Sequence, residues 1–222
     1  GVAAATSIDF AHVANYAAPP LPAYFDETVA ALDNSPASNP VDDRVATLGR
    51  VLFHDLRLST NNRASCAACH QQRFGFTDPM RFSNGISTAG TTDFHAMRLG
   101  NLRYWQPGTM FWDRRVISAE VQASHPLHSL VEMGWGGPAG GIEALIRKMA
   151  ATAYYPDLFA WAFGSTTITE PRMQQALAQF VRAMVSNSSR WDTGYARVFS
   201  PTAPNRALDV DLAGQLEMGL VV

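Results

Sequence analysis

The chain has 222 residues, enough for one sizeable core or two small lobes. Hydrophobic residues make up 47% and aromatics 10%, which excludes a disordered chain, and no apolar run reaches membrane-spanning length. A net charge of −2, with no basic patch and no block of like charge, argues against nucleic acid as a partner.

In chain order, Gly1-Val2-Ala3-Ala4-Ala5 is small and apolar but lacks the charged start and long apolar run of a signal peptide, so it reads as a mature end. Residues 1–41 read as an irregular N-terminal arm, with Ala18-Pro19-Pro20-Leu21-Pro22 extended and Asn34-Ser35-Pro36-Ala37-Ser38-Asn39-Pro40 a loop. Val45, Leu48, Val51 and Leu52 lie on one stripe and predict a helix over about 42–54. Residues 71–92, rich in Gly, Ser, Thr and Asn, read as a long loop of the kind that carries function. A helix is expected over about 117–124. The run Gly134-Trp135-Gly136-Gly137-Pro138-Ala139-Gly140-Gly141 then interrupts regular structure.

Ile142, Leu145, Ile146 and Met149 recur at amphipathic-helix spacing, and a short helical stretch is expected over 156–163. The strongest helix signal covers 170–186. Thr169 is the candidate N-cap, Pro171 lies in the first turn, and Met173, Leu177, Phe180, Val181 and Met184 form the buried stripe. The methionines there are read as core. A last helix is expected over 209–222. Alternation of the β type is almost absent, so the fold class is mostly α, with long irregular loops and little or no β.

Both cysteines of the chain fall in Cys66-Ala67-Ala68-Cys69-His70. C-x-x-C-H is the attachment signature of haem c: two thiols on one helical turn each form a thioether to a vinyl group, and the adjacent imidazole becomes the proximal iron ligand. The other readings are a structural disulfide, a redox dithiol, which needs a βαβ context, and half of a zinc site, which needs further well-spaced ligands. Neither the context nor the ligands are visible, so Cys66, Cys69 and His70 are assigned to haem. Thioether attachment takes place outside the bacterial cytoplasm, which implies a periplasmic protein.

Several phrases together resemble the bacterial di-haem cytochrome c peroxidases and their MauG-like relatives. They are Leu48-Gly49-Arg50-Val51-Leu52-Phe53-His54-Asp55-Leu56-Arg57-Leu58-Ser59, the haem motif, Phe111-Trp112-Asp113-Arg114-Arg115, Gln122 with Pro126, Val131-Glu132-Met133, Ala176-Leu177-Ala178-Gln179-Phe180-Val181-Arg182 and Ser189-Arg190-Trp191-Asp192. The resemblance runs from about Ala46 onward. It implies a cytochrome c-like peroxidatic haem domain over 42–206, and the start of a second haem lobe over 207–222, where Leu212 to Val222 resembles the helix leading into it.

The resemblance implies reduction of hydrogen peroxide to water. The electrons would come from a small cytochrome c or cupredoxin, by way of a second haem. MauG-like oxidation of a protein side chain is the alternative within the family, and a non-catalytic monohaem electron-transfer or sensor module is the alternative outside it. On the matching positions Glu132 is the distal acid–base, against the ordinary fate of an exposed helical Glu. Gln122 is the distal amide that orients the bound oxygen species, against a solvent-facing side chain. Trp112 is the tryptophan between the haems, against a plain core residue.

Many family members carry a histidine in the loop after the motif that ligates the other iron face. Here residues 71–93 contain none, and His95 is the first that follows. It is a candidate distal ligand, with a second-shell imidazole as the other reading. His125 and His128 either tune the distal pocket or cap a helix end, and His54 is read as structural. The family often binds calcium between its lobes, although no calcium loop is recognisable here. A homodimer is left open.

Overall fold

The computed structural model describes residues 2–86, 90–203 and 206. Among the described residues there are nine α-helices: α1 Val2–Thr6, α2 Glu27–Ala30, α3 Asp43–His54, α4 Cys66–Cys69, α5 Ala119–His128, α6 Gly141–Ala150, α7 Tyr155–Phe163, α8 Glu170–Arg182 and α9 Arg190–Val198. Three isolated bridges, Gln71–Thr77, Asn84–Thr91 and Met110–Val116, are the only β-type pairings among them. The mostly-α expectation is borne out. None of the described helices is long and apolar enough to cross a membrane. The helix expected over 209–222 lies outside the described residues.

The core forms where α3 crosses α8, with α6 and α7 packed alongside. Leu48, Leu52 and Phe53 of α3 meet Met173, Ala176, Leu177 and Phe180 of α8, and Leu145, Met149, Tyr155, Leu158 and Phe159 close the other side. Two caps set the helix starts. Asp42 accepts from the Arg44 and Val45 N–H groups, and Thr169 accepts from Arg172 N. Gly49 fixes how closely the two helices approach. A Cβ there would lie 1.9 Å from the Ala176 carbonyl oxygen and 2.8 Å from Phe180 Cβ.

Two helix limits differ from the sequence expectation, and one further helix is present. α8 ends at Arg182 rather than 186 because Asn101 captures the following residues: its N–H donates to Met184 O at 2.8 Å, and its side-chain oxygen accepts from Ser186 N at 2.7 Å. α5 starts at Ala119 on a Ser118 cap and runs through Pro126 to His128. α9 was not anticipated, although Ser189 and Asp192 form a reciprocal capping box there.

Residues 2–41 are more ordered than the irregular arm expected. They carry α1 and α2, and Ile8 and Tyr24 are buried. Tyr16 N and Ala17 N donate to the Asp43 carboxylate at 2.7 and 2.8 Å. Further on, Asn34 and Asn39 enter a buried polar network. Arg182, 1% exposed, pairs with Glu120 and donates to Asn34 Oδ1 at 2.9 Å. Asn39 donates to Glu120 Oε1 and accepts from Gln179. Punctuation by proline, asparagine and serine hid this order, because the ordering comes from contacts distant in sequence.

Gly49→Ala separates two effects. Helix propensity alone favours Ala by about 1 kcal/mol. The collision with the Ala176 carbonyl costs about 1–3 kcal/mol or more. A lower midpoint of chemical denaturation is the expected outcome, and a raised midpoint would show that α3 and α8 do not cross so closely.

Candidate functional site

The segment before the haem motif is built around Ser59. Its hydroxyl donates to Leu56 O at 2.9 Å and accepts from Arg63 N and Ala64 N at 3.0 and 3.1 Å. Lys148 of α6 donates to Ser59 O and to Asn62 Oδ1, and the buried Trp135 indole donates to Leu58 O at 2.6 Å. The chain is thereby anchored just before Cys66.

Cys66 and Cys69 bracket the single turn of α4 and are not joined to each other. Burial, with Cys69 and Glu132 nearby, pushes the Cys66 thiol up to about 12. Burial also raises Cys69. A redox dithiol needs the opposite shift. Among the described residues, no group of three or more His, Cys, Asp or Glu side chains converges to hold a metal ion.

His70 follows the turn, half-buried. Its Nδ1 lies 3.0 Å from Phe76 O. A carbonyl can only accept, so Nδ1 carries the proton and Nε2 presents its lone pair, as a metal-ligating histidine requires. Burial pulls the imidazole pKa down and keeps the ring neutral, against the opposing effect of the Phe76 and Met97 carbonyls. The loop that supplies Phe76 is closed by Gln71 N donating to Thr77 O at 3.1 Å and Phe76 N to Gln71 O at 2.9 Å. Two neutral thiols on one turn, followed directly by an imidazole whose Nδ1 is held by a backbone carbonyl, fit haem c.

Glu132 lies in the turn after α5, not on a helix. Both neighbours hold its backbone: Ile86 N donates to Val131 O at 2.8 Å, and Thr60 N to Met133 O at 3.0 Å. Its own N–H donates to the Ser129 hydroxyl at 3.2 Å. The half-buried carboxyl influences both Cys66 and Cys69 electrostatically, so it lies near the haem motif. Burial pushes its pKa up, and the Ser129 hydroxyl and the Arg115 charge only partly offset this.

Gln122 is half-buried on α5, one turn before Pro126. Proline has no N–H to give the Gln122 carbonyl, so the helix is loosened at that residue. His125 stacks edge-on against Phe111 at 5.3 Å, and the Arg115 guanidinium sits 3.8 Å above the Phe111 ring. Arg115 is thus a site residue to which sequence reasoning gave no role. It stood in the quoted Phe111-to-Arg115 phrase, but only the fold shows its reach to Glu132. His128 contacts Glu170 at 3.0 Å, next to the start of α8.

Trp112 sits at the tip of a loop closed by Met110 N donating to Val116 O at 2.7 Å. It is 59% exposed and lies outside the core formed by the described residues. Its indole N–H donates to His95 O at 3.0 Å. Both ring nitrogens of His95 are engaged, Nδ1 with Met80 O and Nε2 with the Thr77 hydroxyl, each at 3.0 Å. His95 lies close enough to His70 to affect its charge, so it stands beside the loop that supports the proximal ligand. His54 ends α3, where partial desolvation of its ring and then the Arg50 charge lower its pKa.

Comparison with known proteins places this geometry. Residues 43–197 match the family model described as di-haem cytochrome c peroxidase. The methylamine utilization protein MauG of Methylophilus methylotrophus is 33% identical over 180 residues, covering 76% of this chain and 49% of the relative. The cytochrome c551 peroxidase of Nitrosomonas europaea is 30% identical over 162 residues, covering 70% of this chain and 44% of the relative. The crystal structure of a MauG-like protein associated with microbial copper homeostasis superposes with a TM-score of 0.63 at 32% identity, over 81% of this chain and 48% of that one. The chain spans about half the length of the curated relatives it matches. On the extent of the family match, and on relatives of this identity, the chain belongs to the di-haem cytochrome c peroxidase family.

Proposed function

We propose that residues 42–206 form the peroxide-cleaving haem c domain of a periplasmic peroxidase, supplied with electrons by a small redox protein through a second haem. One observation carries this reading: a half-buried carboxyl, clamped on both sides through its backbone, lies within electrostatic reach of both haem-motif cysteines. Cys66 and Cys69 would tether the porphyrin and His70 Nε2 would bind the iron. Haem c, when bound, supplies an iron that activates the O–O bond of peroxide and takes up electrons.

Every other step falls to the chain. Glu132 would take the proton from one peroxide oxygen and return it to the other, which leaves as water. Its raised pKa suits both halves of that transfer, because a carboxyl in the ordinary acidic range returns a proton poorly near neutral pH. Arg115 limits the rise and keeps the carboxylate accessible. Gln122, on the loosened stretch of α5, orients peroxide through its amide. The exposed Trp112 offers an oxidisable ring through which electrons reach the site.

Glu132→Gln should leave covalent haem content intact and slow peroxide reduction by roughly 10²–10⁴-fold. Unchanged turnover would remove the role. The pH profile adds a sign. The base step needs the carboxylate, so the rate falls as pH drops through the raised Glu132 pKa, and this acidic limb should vanish in Glu132→Gln.

Removing both thiols in a Cys66→Ala, Cys69→Ala variant should abolish the haem that survives denaturation and acid extraction. Intact mass spectrometry reads this directly. Retention of covalent haem would show that attachment lies elsewhere.

A further inference from the structure

We propose that His95 is a positioning residue, which fixes the Trp112 indole against the loop that supports His70. The inference rests on the reading of Trp112 as the electron route. His95 uses three separate groups at once. Its Nδ1–H donates to Met80 O at 3.0 Å, its Nε2 is engaged by the Thr77 hydroxyl at 3.0 Å, and its own carbonyl accepts the Trp112 indole N–H at 3.0 Å. The Thr77 hydroxyl also lies in a short contact with Ala96 O, so the residue after His95 is held as well, the one hydroxyl hydrogen serving either Ala96 O or His95 Nε2 at a time.

These bonds connect otherwise irregular segments. Thr77 belongs to the turn whose Phe76 carbonyl orients His70, and its carbonyl accepts Gln71 N at 3.1 Å. A continuous path of covalent and hydrogen bonds therefore runs from the Trp112 indole through His95 and Thr77 to the support of the proximal ligand. Trp112 is largely exposed on a loop tip and has little packing to select one ring position. Its bond to the His95 carbonyl supplies that selection, and the carbonyl stays in place because the imidazole is pinned at both ends.

Imidazole suits the task, since it spans two partners on opposite edges of a rigid ring. Serving as an iron ligand would require His95 to surrender its bond to Thr77 and swing away from the loop it organises. The same bonds that make it a clamp therefore argue against ligation.

The haem-loaded protein tests this. Exchange of the Trp112 indole proton with D2O is followed by ultraviolet resonance Raman, and the Trp112 contribution is isolated by subtracting the spectrum of the matching Trp112→Phe protein. In His95→Ala the exchange should be at least about tenfold faster. The kcat for peroxide should fall about tenfold to a hundredfold with KM unchanged, the size expected when a group is displaced by about 1 Å. The absorption spectrum of the haem should be unaltered. His95→Asn, which keeps a donor for Met80 O, should recover part of both effects. Thr77→Val, which removes only the hydroxyl, should reproduce part of the loss and serves if His95→Ala does not fold.

Unchanged indole exchange in both His95→Ala and Thr77→Val overturns the clamp. Conversion of the haem spectrum from six- to five-coordinate in His95→Ala also overturns it, in favour of ligation. Faster exchange in His95→Ala, with turnover of Trp112→Phe equal to that of the parent protein, supports the clamp and refutes the electron role of Trp112.

Discussion

The buried ion pair between Arg182 and Glu120 is the constraint on which the arrangement of the site depends. Withdrawing a guanidinium and a carboxylate from water costs several kcal/mol per ion, and their attraction repays this only when the remaining donors and acceptors are used. Here they are used. Arg182 also donates to the side chain and carbonyl of Asn34, and Glu120 also accepts from Asn39, which in turn accepts from Gln179. The net gain in stability from such a network is small, and its main effect is registration. It holds the N-terminal segment, α5 and α8 in one mutual position. Gln122 lies two residues beyond Glu120 on the same helix, and the turn that places Glu132 follows that helix. A shift of α5 along α8 would displace the whole distal side relative to the haem motif.

The haem side is held by different means. α4 is only one turn long, too short to be stable alone, so its position comes from its flanks. Ser59, Lys148 and Trp135 fix the approach, and the Phe76 carbonyl fixes the exit. Backbone bonds from residues 60 and 86 to the strip 131–133 join the two sides directly. The distance from Glu132 to the motif is therefore held by these short local links as well as by the register of α5 on α8.

How much of this was legible in the sequence depended on how local the cause was. α3, α6 and α8 each show apolar residues at helical spacing, and their buried faces follow the stripes. α9 was missed although its capping box is local. Its body is polar, with Gly194 in the middle, so the apolar period was weak while the cap was present in Ser189 and Asp192. The overlong end of α8 has a distant cause, since Asn101 lies some eighty residues away in sequence. For the site, the haem motif could be read from its residues alone, and the distal candidates came from resemblance. Neither route could find Arg115 or the clamp at His95. Arg115 matters through its reach to Glu132, and His95 through two backbone carbonyls and a hydroxyl, none of which leaves a spacing pattern.

The long irregular stretch after the motif follows from the same logic. Every backbone carbonyl in a folded chain needs a donor, and in a helix that donor is the N–H four residues on. In this stretch the carbonyls are used otherwise. Phe76 O takes the His70 ring, Met80 O the His95 ring, His95 O the Trp112 indole, and Ala96 O the Thr77 hydroxyl. Asp78 takes Met80 N and the Ser83 hydroxyl, which keeps its buried carboxylate satisfied. A helix over these residues would have consumed the same carbonyls internally and left His70 without the acceptor that holds its proton on Nδ1. The loop is irregular because its backbone serves as the second coordination sphere of a proposed metal ligand and as the anchor of an exposed tryptophan. Composition marks such a segment as a loop, and only the partners of its carbonyls show why it cannot be anything else.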